Sequence, residues 1–274
     1  MRKHCFSVLC SLWMLLVMQG CQTRAVKSHV IITLDNKPVT LHFETFKYIG
    51  RNAKPFIELL EKLERKEEVA INEPLSDPTV DGGVGNMPLE EATKYGLGEL
   101  YRPTHGGDTD FYAARYLLAK GADPNTAIHE LCSELRFHGA VGKRGLVLLL
   151  SYGARLDIQN KELPYRRIGT PSYTPLRSLE GNTPWIPQSL RKEYEKQAGS
   201  KEPLSEPPTA WETAMPPEEQ QERKTKYFTD IAEQLLKPEN NRGNRLHPSF
   251  VEYLEEKTQV GRELIERLKA ISSS

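Results

Sequence analysis

The sequence predicts a mainly α-helical repeat solenoid, with an N-terminal cap of β-hairpin plus helix and a C-terminal capping helix. Two segments, YLLAKGADPN (116–125) and LLLSYGARLDIQN (148–160), align with Gly121 on Gly153, a spacing of 32 residues. Apolar residues at helical spacing precede each Gly-Ala pair, and strand-like alternation occurs in residues 29–43. A fixed period of this length is typical of repeat architectures.

The composition is typical of an ordinary soluble globular protein. The chain has 274 residues, 38% of them hydrophobic, and 37 basic residues balance 37 acidic ones. A formal net charge of zero gives no bulk attraction to nucleic acid or to acidic lipid. We therefore expect no nucleic-acid partner.

The N-terminus has the three-part layout of a secretory signal. Arg2 and Lys3 precede an apolar run from Cys5 to Met18, and the small residue Gly20 follows the run. This run is shorter than the roughly 20 apolar residues that span a bilayer. Export is therefore the first interpretation of this segment.

The stretch Met18-Gln19-Gly20-Cys21 resembles the lipobox of bacterial lipoprotein signals, with Met and Gln where Leu and a smaller residue are commoner. The resemblance implies a signal peptide of residues 1–20, diacylglyceryl lipidation of Cys21 and a tether over residues 21–28. Because Gln22 is not the Asp that implies inner-membrane retention, we expect an outer-membrane anchor facing the periplasm. A plain signal peptide or an uncleaved anchor is the alternative.

The cysteines then divide into two groups. Cys5 and Cys10 leave with the signal and Cys21 carries the lipid, so Cys132 is the single thiol left in the mature chain. An internal disulfide is thereby excluded. We expect Cys132 to be a small buried apolar residue rather than a reactive thiol.

Residues 29–70 predict a small cap. HVIITLDNKPVTLHF alternates about a turn at Asp35–Pro38, and Phe56, Leu59, Leu60 and Leu63 share one face of a following helix. Residues 72–86 form a loop whose Gly82–Gly85 stretch lacks the Lys-Ser/Thr of a phosphate loop.

Within a predicted repeat domain at 71–180, residues 87–180 resemble ankyrin repeats, on the strength of the 32-residue spacing, the two Gly-Ala turns and the helix-opening segments MPLEEAT, TAIHELC and TPLRSL. The resemblance implies left-handed backbone at Gly121 and Gly153, helix caps at Thr126 and Thr174, and a hydrogen bond from His129 between neighbouring repeats. The chain departs from the family at Ala127, where Pro is typical, in the extra segment 98–110, and after Leu179.

Residues 181–225 form a proline- and charge-rich insertion, with a short predicted helix at 188–197 and exposed tryptophans at Trp185 and Trp211. Helical periodicity resumes at 226–237. We interpret 174–180 and 226–237 as the two halves of one split repeat. One last helix from Pro248 onwards, within the final segment 226–274, is expected to cap the stack.

No catalytic motif stands out, so we predict a protein that is not an enzyme and has no catalytic residues, metal or cofactor. His105, Asp108 and Asp110 share a glycine-containing loop, which leaves a metal site or an enzyme using loop 98–110 as a minor alternative. Glu90–Glu91 and Glu67–Glu68 are interpreted as solvated helix faces.

The expected partner is another protein, because family resemblance implies protein binding and Tyr, Trp and Arg dominate interface energy. The candidate contact residues are Tyr101, Arg102, Phe111, Tyr152, Arg155, Tyr165, Arg166, Arg167, Tyr173 and Trp185.

Secretion-system immunity lipoproteins and repeat-scaffold immunity proteins resemble this layout. We therefore expect a membrane-held immunity protein that occludes a secreted toxic effector, such as a phospholipase. A periplasmic adaptor or envelope stress-protection factor is the alternative.

Overall fold

A computed structural model of the chain describes residues 29–43, 53–75, 87–98, 110–159, 162–163, 174–197, 215–240 and 245–272. The predicted signal segment, the lipobox and Cys21 lie outside these residues. The described part is mainly helical and begins with a two-stranded antiparallel hairpin.

The hairpin confirms the predicted turn. Strand β1 (His29–Leu34) pairs with β2 (Lys37–His42) in a register that runs from Leu34 opposite Lys37 to His29 opposite His42. Asp35 and Asn36 form the turn with φ values of 53° and 61°. Asp and Asn tolerate this left-handed backbone, which matches the twist of a two-residue hairpin.

Helix α1 (Ala53–Glu64) packs against β1 through one apolar face that includes the buried Phe56 and Leu60. Both carboxylate oxygens of Glu64 accept hydrogen bonds from Thr33, one from its N–H and one from its hydroxyl, each at 3.0 Å. Hairpin and helix thus form one unit, as predicted.

The remaining helices follow in chain order: α2 (Pro88–Leu97), α3 (Tyr112–Ala119), α4 (Asn125–Ser151), α5 (Pro175–Asn182), α6 (Gln188–Gln197), α7 (Pro217–Leu235), α8 (Pro248–Lys257) and α9 (Arg262–Ser272). Helix α2 packs on α3 and α4, and α4 packs on α5 and α7. Helix α9 contacts both α7 and α8. One hydrophobic core runs through the hairpin and these helices except α6. Leu190 and Tyr194 of α6 pack instead against a small second cluster formed by Ile186 and Met215.

The two Gly-Ala turns have equivalent geometry. Gly121 and Gly153 have φ values of 95° and 91°, which confirms the predicted left-handed region. In each turn the Gly N–H reaches the carbonyl three residues back, and the Ala N–H reaches the carbonyl five residues back. This is the Schellman pattern that closes helix C-termini.

Lys66 ends α1 in the same way without a glycine. Its φ is 59°, its N–H donates to the Leu63 carbonyl, and the Glu67 N–H donates to the Lys62 carbonyl. Left-handed backbone costs a residue with a β-carbon about 1–2 kcal/mol. The turn that follows α1 therefore has the same hydrogen-bond pattern as the two Gly-Ala turns.

In each Gly-Ala turn, the backbone N–H of the residue two positions after the glycine donates to an asparagine side chain. Asn72 Oδ1 accepts the Asp123 N–H at 2.8 Å, and Asn125 Oδ1 accepts the Arg155 N–H at 2.9 Å. The two contacts use the same pair of atoms, and the N–H donors Asp123 and Arg155 are 32 residues apart (155 − 123), whereas the two asparagines are 53 residues apart (125 − 72).

Helix α4 contains both helices that the sequence predicts between the glycine turns. Gly139, with φ 47° and ψ −120°, interrupts the helical backbone and divides α4 into two halves. The predicted cap at Thr126 is wrong, because Thr126 lies inside the helix and its hydroxyl donates to the Asp123 carbonyl at 2.7 Å. The cap at Thr174 is confirmed by its hydrogen bond from the Arg177 N–H.

Phe111 packs between two glycines. A β-carbon on Gly96 of α2 would overlap the Phe111 ring, and one on Gly145 of α4 would lie 2.8 Å from it. Phe111 itself is 2% exposed and has a φ of 55° at the start of α3. The ring therefore fixes the spacing of α2, α3 and α4.

The insertion and the C-terminus depart from the predicted boundaries. Helix α6 confirms the predicted helix at 188–197, but α7 begins at Pro217 rather than at residue 226. The single predicted C-terminal helix is two helices, because Thr258 adopts extended backbone (φ −133°, ψ 173°) and ends α8. Apolar periodicity continues through this break and hides it in the sequence.

We expect Gly145→Ala to lower the free energy of unfolding by about 1–3 kcal/mol, because the added methyl overlaps the buried Phe111 ring. Denaturant unfolding followed by circular dichroism measures the effect. Gly181→Ala is the matched control, since Gly181 lies in α5 and its β-carbon would meet nothing within 4 Å.

The control variant should be neutral or stabilised by up to about 1 kcal/mol, because alanine favours helix over glycine. Equal losses in both variants would contradict the role assigned to Phe111.

Candidate functional site

A groove of about 680 Å³ lies between α3, the second half of α4 and the end of α7. Its lining combines aromatic, basic and amide side chains, which are Asp110, Phe111, Tyr112, Arg115, Ala140, Lys143, Arg144, Val147, Leu148, Ser151, Tyr152, Gln234, Glu239 and Asn240. The size falls within the range of ligand pockets in proteins.

The floor of the groove is apolar and firmly held. Phe111 and Val147 are buried there, while Leu148, Tyr112 and Tyr152 are partly buried and pack against the core. The shape of the floor therefore depends on the packing of Phe111 between Gly96 and Gly145.

Ion pairs brace the walls. Arg115 Nη2 lies 2.9 Å from Asp35 Oδ2 in the hairpin turn, and its guanidinium lies 5.6 Å from the centre of the Tyr112 ring. Lys143 Nζ lies 2.9 Å from Asp230 Oδ2 of α7. The hairpin, α3, α4 and α7 are thus connected around the groove by charge as well as by packing.

The rim carries charges of both signs. Arg144, Asp110 and Glu239 are exposed at the groove, and the exposed Ala140 leaves an open stretch of rim beside them. A rim of mixed charge over an apolar, aromatic floor is the usual anatomy of a protein–protein interface.

Two of the predicted contact residues meet in this groove. Tyr152 is half-buried and follows the last turn of α4. Phe111 lies under the groove but is 2% exposed, so its ring supports the floor instead of offering a free surface.

Two other predicted residues are described and lie elsewhere. Arg155 is half-buried and pairs with Asp157 at 3.0 Å and with Glu162 at 3.7 Å, so it braces its own loop. Trp185 is only partly exposed, contrary to the prediction, because its ring packs 5.8 Å from Phe228 and 6.3 Å from Tyr227.

The remaining predicted contact residues lie outside the described part of the chain; they are Tyr101, Arg102, Tyr165, Arg166, Arg167 and Tyr173. The same holds for His105 and Asp108 of the alternative metal loop and for Trp211. Asp110 is described and lies on the groove rim.

The prediction of a solvated Glu90–Glu91 face is wrong. Both residues are buried, at 5% and 4% exposure, because α2 lies against α4. Lys94 Nζ contacts Glu90 at 2.8 Å and Glu130 of α4 at 3.2 Å. The helical spacing of Glu90 and Lys94 was visible in the sequence, but the contribution of Glu130 depends on the packing of the two helices.

His129 contacts the segment after the second glycine turn, in agreement with its predicted bridging role. Burial lowers the pKa of His129, and a hydrogen bond with the Ile158 backbone raises it in part. The bond connects the first half of α4 with a residue five positions beyond Gly153.

Cys132 is fully buried in the core, which confirms the expectation from the sequence. Burial raises the pKa of its thiol, so the reactive thiolate is disfavoured at neutral pH.

The described residues contain no group of three or more His, Cys, Asp or Glu side chains that could hold a metal ion. Within these ranges, no helix combines the length and apolar character needed to cross a membrane.

Comparison with known proteins gives no match: no family model, no curated protein and no solved structure is similar to this chain.

We expect Cys132 to resist thiol reagents in the folded protein. In protein of residues 21–274 carrying Cys21→Ser, Cys132 is the single thiol, and Ellman's reagent at pH 8 should react with it only after denaturant is added. The rate should follow global unfolding, because Cys132 is fully buried in the core. Stoichiometric reaction of the native protein within seconds would contradict this expectation.

Proposed function

We propose that this chain is a lipid-anchored, periplasm-facing protein that binds another protein without catalysis. The observation that carries the proposal is the groove between α3, α4 and α7, with its aromatic floor and its mixed-charge rim. Tyrosine and arginine are over-represented among residues that dominate interface energy, and Tyr112, Tyr152, Arg115 and Arg144 line this groove.

The proposal includes an ankyrin-like arrangement of the helices. Its units would be α2 with α3, the two halves of α4, α5 with α7, and α8 with α9. The equivalent turns at Gly121 and Gly153 and the equivalent contacts of Asn72 and Asn125 support this arrangement. Packing of α2 on α4 and of α4 on α5 has the nearest-neighbour order of a stack.

Helix α1 fits the same scheme as the second helix of a reduced first unit. Its Lys66 turn has the hydrogen bonds of the glycine turns, and the hairpin takes the place of a first helix. The hairpin covers the apolar end of the stack, since Val30, Ile32 and Leu41 are buried.

The anchor determines where such a protein would act. Lipidation at Cys21 would hold the folded part against the membrane, with residues 21–28 as the tether. Eight residues extend at most about 29 Å, so the hairpin would lie close to the bilayer surface. An effector that attacks lipid would meet the protein there, which is why we propose an immunity protein against a secreted toxin such as a phospholipase.

A bulky side chain in the groove tests partner binding directly. We expect Ala140→Trp to abolish capture of the partner from an envelope extract of a strain that also produces its effectors, identified by mass spectrometry. Ala140 is exposed on the rim, so tryptophan fills the groove while the core packing stays intact. Ala119→Trp is the matched control, because Ala119 is an exposed helical alanine that does not line the groove.

Capture of the same partner by wild type and Ala140→Trp would contradict the proposed binding surface. The survival of cells exposed to effector-delivering kin tests the immunity role. Deletion of the gene and Ala140→Trp should both lower survival at least about tenfold, and unchanged survival of the deletion strain would exclude this role.

Cys21→Ser tests the anchor. The variant should move from the membrane fraction to the soluble periplasmic fraction, because a stable lipid attachment can no longer form. Immunoblots of separated fractions measure the change. Retention of the variant in the membrane fraction would contradict the lipobox interpretation.

A further inference from the structure

We propose that His29 and His42 form a two-imidazole binding site for a divalent transition metal ion, of the class of Zn²⁺, Ni²⁺ or Cu²⁺. The two residues stand directly opposite each other at the open end of the hairpin, and their ring centroids are 6.5 Å apart. The site is independent of the groove and of the proposed protein partner.

The register determines how close the two histidines can come. A two-residue turn makes Leu34 and Lys37 a hydrogen-bonded pair, and hydrogen-bonded and non-hydrogen-bonded pairs then alternate along the strands. His29 and His42, five pairs further along, form a non-hydrogen-bonded pair. The α-carbons of such pairs are about 4.5 Å apart, the closer of the two spacings.

Two observations support this alternation of hydrogen-bonded and non-hydrogen-bonded pairs. Pro38 has no N–H, and it occupies a non-hydrogen-bonded position opposite Thr33, where no ladder bond is lost. The Thr33 N–H points away from β2 and donates to Glu64 of α1 instead. The alternation therefore holds from the turn towards the open end.

Both imidazoles lie on the outer face of the hairpin. Burial alternates along β1, with Val30, Ile32 and Leu34 buried, so His29 belongs to the exposed set, and His42 is exposed beside the buried Leu41. Imidazole is a preferred ligand of these ions. With metal–nitrogen bonds of about 2.0–2.1 Å, two ligating nitrogens lie about 3 Å apart. The 6.5 Å separation joins the ring centroids, and we expect rotation of the two side chains to bring one nitrogen of each ring to the ligating distance.

The backbone beneath the pair is held in place. The Tyr95 hydroxyl of α2 donates to the His42 carbonyl at 3.0 Å, and Val30 and Leu41, the next pair of the ladder, are buried in the core. A bound ion therefore meets two ligands whose strands are already ordered, which lowers the entropic cost of binding. Bridging would close the open end of the hairpin, opposite the Asp35–Asn36 turn.

Isothermal titration of the untagged mature-length protein carrying Cys21→Ser with Ni²⁺, and separately with Zn²⁺, tests the proposal. We expect one ion per chain, with His29→Ala and His42→Ala each weakening binding at least about tenfold. His138→Ala is the control, since His138 lies in α4, outside the hairpin, and it should bind as wild type does. Thermal unfolding without metal checks that the hairpin variants fold as wild type does.

A second experiment moves the two histidines to the neighbouring outer-face pair of the same hairpin. Ile31 and Thr40 form the adjacent outer-face pair of the same non-hydrogen-bonded class. Introducing Ile31→His and Thr40→His into the His29→Ala/His42→Ala protein should therefore restore binding. No binding by wild type, binding unchanged in both single variants, or no restoration in a folded transfer variant would each overturn the proposal.

Discussion

The close approach of the Phe111 ring to the backbones of Gly96 and Gly145 is the contact on which the packing of α2, α3 and α4 depends. Burial of a phenylalanine contributes about 1.5–3 kcal/mol, and the left-handed backbone at Phe111 costs about 1–2 kcal/mol. The net gain is small unless the ring packs closely, and closeness requires glycine on both sides. The same ring supports the floor of the groove, so helix spacing and groove shape have one cause.

A second constraint explains how the chain accommodates an insertion between α5 and α7. Lys224 of α7 pairs with Glu180 of α5 at 3.1 Å, and its Nζ lies 5.4 Å from the Trp185 ring and 5.2 Å from the Tyr253 ring. Helix α6 is held against this region because Arg191 donates to the carbonyls of Asn182, Thr183 and Ile186. The described parts of the insertion are therefore packed on the body of the protein.

Much of the fold was predictable because its causes are local. A two-residue Asp-Asn turn, a helix stop at Gly121 or Gly153 and an apolar helix face each depend on neighbouring residues. The burial of Glu90 and Phe111, and the break at Thr258, depend on contacts between distant segments, which local patterns do not record. The sequence predicted the groove only in part for the same reason. Tyr152 was a candidate because of its residue type, whereas Ala140 and Arg144 become candidates only because α3, α4 and α7 pack around one groove.

The hairpin connects to the groove at its turn, because Asp35 pairs with Arg115 on the groove wall, while the open end of the hairpin begins at His29, next to the proposed tether. Site-specific photo-crosslinking in living cells tests the central claim most directly. A photoreactive residue at position 152 in the groove should form an adduct with a second protein, and one at the exposed Lys192 of α6 should not. Adducts at position 192 without adducts at position 152 would contradict the account.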